Sequence, residues 1–288
     1  MATTSCRVDT LGDAGSIDTA EEALSRHNSL HRGGSHALGS AASLVCGMLV
    51  WELAGRLLDF GFLPPFSEVI RATWRLTLSG EIPLYLSTSL VSLAAGYVLA
   101  VGLGVSVGLL MGRFRTVEYL LDPCFSAFLA APSLVYVPIL FALFGASRLT
   151  QVSVVFIYAF FIVATNTMSG IRTVERAYVE MARSFGASEL TLWHKVLLPG
   201  ALPLITAGLH LGLGRGVKGM INGEMLIAFT GLGALLRRYG GRFDAAGVFG
   251  ILIVVVGVAL IGDFLLRRVE RRLVCWPDLT AGGANELT

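Results

Sequence analysis

Four long stretches of the 288-residue chain contain no acidic or basic side chain, and they cover residues 84–111, 123–147, 152–171 and 245–262. A helix that crosses a lipid bilayer needs about 20 consecutive, mostly apolar residues. Only 15% of the residues are charged, whereas a typical globular domain has about 25%. These features exclude a soluble globular protein and predict an all-α integral membrane protein.

The pattern of apolar residues predicts about six transmembrane helices in a membrane domain that covers residues 38–276. The first span is the least apolar because it contains Glu52 and Arg56, whose spacing of four lets them pair on one helix face. Residues 1–37 are polar and are predicted to form a mostly disordered tail, and residues 277–288 form a C-terminal tail. The predicted spans are Leu38–Phe60, Leu84–Met111, Leu120–Phe144, Val152–Ile171, Leu202–Thr230 and Ala245–Leu266.

The distribution of Lys and Arg predicts the orientation of the chain. If the N-terminus is cytoplasmic, thirteen of these residues lie in cytoplasmic segments and six in outer segments, which agrees with the positive-inside rule. Both termini are therefore predicted to be cytoplasmic. The connection between the fifth and sixth spans goes against this trend, because it contains Arg237, Arg238 and Arg242.

Small residues and prolines predict how the spans pack. Gly104, Gly108 and Gly112 recur at every fourth position of the second span, so they share one helix face that lets another backbone approach closely. Pro132 and Pro138 interrupt the third span, and such breaks require neighbouring protein or a cavity to satisfy the freed carbonyl groups. Both features favour a packed helical bundle over a single membrane anchor.

The sequence contains no recognisable catalytic, metal or nucleotide site. Its two lysines, Lys195 and Lys218, precede Val and Gly, whereas the lysine of a phosphate-binding loop precedes Ser or Thr. The five histidines form no metal-ligand motif, and a net charge of +2 does not indicate binding to nucleic acid. We therefore expect no catalytic residue, cofactor or metal in this chain, and any ATP it uses would be bound by a partner.

Residues 172–203 form a long, polar, amphipathic segment on the predicted cytoplasmic side, which we call the cytoplasmic segment. Glu175–Phe185 contains good helix formers. Gly186 can adopt the left-handed conformation that ends a helix, and Ser188 is a suitable N-cap for the next one. With Pro199 at the entry to the fifth span, the segment is predicted to form a helix, a turn and a second helix.

The same segment resembles the signature of permease subunits in binding-protein-dependent ABC importers, E-A-A-x3-G-x9-I-x-L-P. It reads Glu180-Met181-Ala182, three residues, Gly186, nine residues, and Val196-Leu197-Leu198-Pro199, with Met181 and Val196 as mild departures. The resemblance implies a type I permease fold whose coupling helix docks on an ATPase subunit. Gly186 would set the turn of that helix, and Ala182 would leave room for docking. Glu180 and Arg183 would supply charged contacts at the rim.

Other stretches resemble the nitrate, sulfonate and taurine permeases, among them Leu63–Val69, Leu121–Pro123, Gly231–Gly233 and the pair Glu224-Met225. The resemblance implies import of a small organic or inorganic anion across the bacterial inner membrane. It also implies three kinds of partner: two copies of a cytoplasmic ATPase that binds ATP and Mg, a second permease copy or a sister permease subunit, and an extracytoplasmic solute-binding protein. The third span departs from the subfamily's proline-rich pattern at Leu129–Ser133, which leaves the substrate open.

Ionisable residues inside a span are costly and indicate function. Arg215, Lys218 and Asn222 of the fifth span cluster on one helix face at about 100° per residue, and Glu224 points away from them. Asn166 is a polar residue of the fourth span. These five residues either line a translocation pathway for an anion or act as structural contacts, for example through Glu224 of a second copy. We expect Glu224 to serve a gate or the dimer contact.

Two other classes of function remain open at the level of the sequence. A secondary transporter driven by an ion gradient would need coupling carboxylates in the spans and usually an internal repeat, and Glu52 and Glu224 are the only candidates noted. A membrane scaffold or sensor without transport activity would normally carry an extended soluble domain. Dependence of uptake on ATP or on an ion gradient separates the first two classes.

Overall fold

The computed structural model describes residues 42–57, 62–227 and 230–273, and every regular element in these ranges is helical. The chain divides into two compact units, Met1–Ser67 and Glu68–Thr288. A 3₁₀ turn (Ser133–Val135) precedes α5, and a π turn (Trp193–Leu197) follows α8. The helices are α1 (42–57), α2 (Phe66–Leu78), α3 (Glu81–Arg113), α4 (Arg115–Ala130), α5 (Tyr136–Phe144), α6 (Arg148–Thr173), α7 (Arg176–Ser184), α8 (Glu189–Leu192), α9 (Leu198–Ile227), α10 (Leu232–Gly241) and α11 (Ala245–Leu273).

In the first unit, the pairing predicted within the first span is present. Arg56 Nε donates to Glu52 Oε1 at 2.7 Å. The other carboxylate oxygen, Glu52 Oε2, accepts from the backbone N–H of Ser67 at 2.9 Å. Glu52 therefore neutralises Arg56 and also holds the start of α2.

Four described helices are long and apolar enough to cross a membrane: α3, α6, the continuous helix Glu189–Ile227, and α11. They correspond to the second, fourth, fifth and sixth predicted spans. The pair α4 and α5 makes a fifth span if it is counted as one broken crossing. The ends of the first predicted span, at 38–41 and 58–60, lie outside the described residues, so the total of six spans stays a prediction.

The third span is broken, where the sequence predicted one crossing over Leu120–Phe144. The helix pair Arg115–Ala130 and Ser133–Phe144 bends by 95°. Proline disfavours helical geometry in the residue before it, and Ala131, which precedes Pro132, is extended with φ −71° and ψ 141°. The break therefore has a local cause in Pro132.

Helix α6 is the centre of the bundle, with α3 on one side and α9 on the other. Val154, Val155, Val163 and Ala164 of α6 are completely buried. The glycine row predicted on α3 faces α6 so closely that a Cβ at Gly112 would lie 2.7 Å from Ile171 Cβ. On the α9 side, a Cβ at Gly212 would lie 2.6 Å from Val163 Cγ2. Predicted close packing through small residues is confirmed, and it fixes the positions of α3 and α9.

The helix of the fifth span begins earlier in the chain than predicted. Helix α8, the π turn and α9 form one continuous helix, Glu189–Ile227. Pro199 lies in the first turn of α9 and Pro203 lies inside it, so neither ends a separate loop helix. The π turn ends just before Pro199, which has no N–H to donate to the preceding turn. The second half of the cytoplasmic segment is therefore continuous with the helix of the fifth span.

Candidate functional site

The turn between α7 and α8 is built as the sequence predicts. Gly186 has a φ of +75°, its N–H donates to the Arg183 carbonyl at 2.9 Å, and the N–H of Ala187 donates to the Ala182 carbonyl at 3.0 Å. These two hydrogen bonds define a Schellman motif, which needs a left-handed residue that glycine supplies at the lowest cost. Ser188 then caps α8, because its Oγ accepts from the backbone N–H of Thr191 at 3.3 Å. The angle between the two helices is set by local hydrogen bonds.

Helix α7 has two different faces. Val179 and Ala182 pack against a buried cluster formed by Ile171, Leu192, Leu197, Ala201 and Ile205. On the adjacent face, Tyr178, Met181 and the C-cap residue Phe185 expose 54%, 53% and 84% of their surface. These three residues are spaced three and four apart, so they form one apolar stripe along the helix. The helix is anchored by one face and presents an apolar stripe on the other.

Ion pairs hold the cytoplasmic segment to the membrane helices. Glu189, at the start of α8, accepts from Arg113 Nη2 at the end of α3 at 2.9 Å and from Arg183 Nη2 of α7 at 2.9 Å. Arg172, at the end of α6, pairs with Glu118 of α4. Exposed pairs of this kind contribute little to stability. Their geometry nevertheless links α7 and α8 to α3, and α6 to α4.

Among the predicted residues of the cytoplasmic segment, only Arg183 forms an ion pair within the described chain. Glu180 is exposed, Ala182 is half-buried on the packed face of α7, and Gly186 is exposed at the turn. Pro199 is half-buried in α9. Ala182 and Gly186 have clear local structural roles.

The polar face predicted on α9 is present. Arg215 and Lys218 are exposed, and within the described ranges neither forms a hydrogen bond or an ion pair. Asn222, one turn further along, is half-buried, and its Nδ2 donates to Tyr158 Oη at 3.4 Å. At Gly214, directly before Arg215 and one turn before Lys218, an added Cβ would meet nothing within 4 Å. The single chain therefore leaves two cations open at mid-helix, on a face with no covering side chain.

Asn166 packs against α9 two helical turns before Arg215. Its Nδ2 donates to the Ile162 carbonyl of its own helix at 2.8 Å. It lies opposite Gly208, where an added Cβ would come within 2.7 Å of Asn166 Cβ. Gly208 and Arg215 are seven residues apart, or about 10 Å along a helix. Asn166 belongs to the contact between α6 and α9.

Glu224 lies on the other side of α9 and is completely buried. Its Oε2 accepts from the Ser89 hydroxyl of α3 at 2.9 Å and from the backbone N–H of Gly233 at 2.9 Å. Ser89 Oγ in turn accepts from the backbone N–H of Leu232 at 2.8 Å. A carboxylate at a helix N-terminus is electrostatically favourable. Glu224 thus fastens the start of α10 to α3 and α9, and its buried carboxylate is not exposed to an ion pair with a second copy.

Helix α10 is held to the start of α3 at two further points. Tyr239 Oη donates to Glu81 Oε2 at 3.1 Å, and Arg238 Nη2 donates to Tyr85 Oη at 2.5 Å. Burial and then the hydrogen bond to Glu81 raise the pKa of the Tyr239 hydroxyl above its ordinary value. The hydroxyl therefore remains a proton donor at neutral pH, and this end of the bundle is closed by a polar network.

Sequence reasoning missed two features. The first is the apolar stripe on α7, which the spacing of its three large residues could have revealed. The second is a cluster in which His210 of α9 faces Asp263 and Glu270 of α11. Asp263 falls inside the sixth predicted span. It could have been found in the same way as Glu224, as an ionisable residue inside a span.

Comparison with known proteins agrees with this architecture. Residues 100–274 match the family described as "Binding-protein-dependent transport system inner membrane component". The taurine transport system permease protein TauC of Escherichia coli (strain K12) is 30% identical over 246 residues, covering 82% of this chain and 89% of that protein. The SsuC protein of Bacillus subtilis (strain 168), whose name assigns it to aliphatic sulfonate transport, is 30% identical over 239 residues, covering 81% of this chain and 85% of that protein.

A solved structure shows the same fold. The chain aligns with one titled "Crystal structure of an amino acid ABC transporter with histidines" at a TM-score of 0.51 and 22% identity, covering 68% of this chain and 97% of that one. The fold and the matched segment define a membrane-spanning permease subunit of an ABC importer, which is not itself an enzyme. The chain belongs to the family of inner-membrane components of binding-protein-dependent transport systems.

Proposed function

We propose that this permease subunit imports a small anion of the taurine or sulfonate class, and that Arg215, Lys218 and Asn222 line its pathway. The observation that carries the proposal is the pair of open cations on α9. Relatives of this chain are named for taurine and for aliphatic sulfonates. Both names denote small molecules with a sulfonate group, and such a group is attracted to a cationic face.

Cationic side chains inside a membrane span are costly in free energy. A cation at the centre of a bilayer costs several kcal/mol unless it faces a polar cavity or a partner. Arg215 and Lys218 have no partner among the described residues, and nothing covers the neighbouring Gly214, where an added Cβ would meet no atom within 4 Å. We therefore place a second permease copy opposite this face, with the pathway between the two copies. Alternating access would expose the cationic face first to one side of the membrane and then to the other.

The test is uptake of radiolabelled taurine and of a short alkanesulfonate by cells that contain the permease, its ATPase and its binding protein. Replacing both cations with glutamine, Arg215→Gln and Lys218→Gln, should abolish uptake while leaving assembly of the complex intact. The matched control removes two exposed cations elsewhere, Arg148→Gln and Arg268→Gln, and should keep uptake. Uptake that survives in the first variant would remove these residues from the pathway.

The ATPase, which would bind the ATP and Mg, is placed at the cytoplasmic segment. The support is the exposed apolar stripe of Tyr178, Met181 and Phe185 on a helix that is anchored by its other face. Because α8 continues into α9, a displacement of α7 would be transmitted directly to the helix that carries the open cations. We propose with it that both termini are cytoplasmic and that the binding protein docks on the outer side, near α10.

Co-purification tests this placement. Phe185→Ser, which removes the most exposed apolar side chain of the stripe, should weaken retention of the ATPase on the tagged permease. The control is Tyr119→Ser, at an aromatic residue of α4 that is 72% exposed and lies outside the cytoplasmic segment. Equal retention in the two variants would argue against docking on the stripe.

A further inference from the structure

A cluster of four ionisable side chains joins α9 to α11, away from the open cations. His210 Nδ1 lies 2.6 Å from Asp263 Oδ1, and His210 Nε2 lies 3.1 Å from Glu270 Oε2. Arg267 Nε donates to the second oxygen of Asp263 at 2.8 Å. Within 42–57, 62–227 and 230–273 no group of three or more His, Cys, Asp or Glu residues is suited to a metal ion. The cluster therefore has to be explained by protons and charges.

Counting donors shows how many protons the cluster needs. An ionised carboxylate only accepts hydrogen bonds, and a neutral imidazole donates through one nitrogen only. Both ring nitrogens of His210 face carboxylate oxygens at hydrogen-bonding distance. Both contacts can be hydrogen bonds only if one more proton is present than a neutral histidine and two carboxylates provide.

The extra proton has two possible sites, the imidazole or one of the carboxylates. Imidazole is ordinarily the stronger base by about two pKa units. With the proton on His210, the charges of His210 and Arg267 balance those of Asp263 and Glu270, so the cluster has no net charge. Both of its contacts then become charge-assisted hydrogen bonds, which are stronger than neutral ones. The nearby hydroxyl of Tyr97 on α3 does not compete, because it donates to the Leu209 carbonyl at 2.8 Å.

We propose that His210 is held as an imidazolium, and that this cation is a positioning residue that keeps the cytoplasmic half of α9 fixed to α11. Few described residues of helix α11 are fully buried. Its close approach to α9 is at Gly262, where an added Cβ would lie 3.0 Å from Leu213 Cδ2. His210 lies between the cytoplasmic segment and Arg215 on the same continuous helix. Displacement of that helix therefore moves α11 with it.

Nitrogen NMR tests the protonation state directly. The full chain is labelled with ¹⁵N-histidine, placed in lipid nanodiscs, and studied at neutral pH. The His210 signal is assigned from its loss in His210→Gln. We expect a proton on both ring nitrogens, and we expect the variant Asp263→Asn with Glu270→Gln to convert the signal to a neutral tautomer. A neutral imidazole in the native chain would overturn the proposal.

Uptake by the assembled transporter tests the positioning role, and it is independent of which residues line the pathway. His210→Gln removes the cation and should lower uptake about tenfold, as expected for a lost charge-assisted hydrogen bond. His210→Arg restores a permanent cation and should recover most of the uptake. The control Arg268→Gln removes an exposed cation of α11 that lies outside the cluster, and it should have no effect. If the arginine variant is as inactive as the glutamine variant, the positive charge is not what positions α9.

Discussion

The contact between α3 and α6 allows a sharp test of how the bundle is held together. A Cβ added at Gly108 would lie 2.5 Å from the Ala164 carbonyl oxygen and 2.6 Å from Thr167 Cβ. Both distances are well below ordinary van der Waals contact, and the Ala164 carbonyl is part of the backbone and cannot rotate away. At Gly102 on the same helix, an added Cβ would meet nothing within 4 Å. Gly102→Ala is therefore a matched control for Gly108→Ala.

The expected difference follows from these contacts. Each substitution replaces glycine in a helix with alanine, which on its own favours the helix by about 1 kcal/mol. Because both variants share this gain, it cancels when they are compared. Forcing one extra carbon into a packed contact costs about 1–3 kcal/mol. We expect Gly108→Ala to be less stable than Gly102→Ala by that amount.

The assay is unfolding of the purified chain in mixed micelles as the fraction of denaturing detergent rises, with helicity as the signal. The difference in unfolding free energy between the two variants is the quantity of interest. Uptake should follow the same order, because the spacing of α3 and α6 supports α9. Equal stability of the two variants would refute the argument, since it would mean that α6 moves aside without cost.

Three further substitutions test other contacts. Gly186→Pro imposes a negative φ where the turn has +75°, so it should abolish the Schellman turn and ATPase co-purification, while circular dichroism shows the helices retained. Ser89→Ala leaves the backbone N–H of Leu232 without its buried acceptor and should cost about 1–3 kcal/mol in unfolding free energy; an unchanged value would mean that the start of α10 relaxes. Gly231→Ala places a Cβ onto the Glu224 carboxylate at a φ of +93°, so it should be more destabilising than Gly241→Ala, where an added Cβ meets nothing within 4 Å.

Features that depend on neighbours in the sequence were predictable. The membrane helices follow from uninterrupted apolar runs, because lipid admits only backbone that satisfies its own hydrogen bonds. The turn at Gly186 and the cap at Ser188 follow from residues within five positions of each other. The glycine row on α3 predicted a close helix contact, because glycine is the residue that permits one.

Partners that are distant in the sequence were not predictable in the same way. The carboxylate of Glu224 is fastened to Ser89, 135 positions away, and His210 to Asp263, 53 positions away. Helical periodicity places such residues on a face, but it does not say which helix lies opposite. Sequence patterns placed Glu224 opposite the cations of α9, and only the packing of α3 and α10 around it made it a buried anchor.

At Pro132, one part of the structure follows from the local sequence and another part depends on tertiary packing. Its ring favours a break in the third span, because it disfavours helical geometry in the residue before it. The bend of 95° between the two halves depends on the helices packed around α4 and α5. Local chemistry therefore determines where this chain turns, caps and crosses the membrane. Tertiary packing decides which charges are buried as anchors and which stay open on α9, because burial is a property of the assembled bundle.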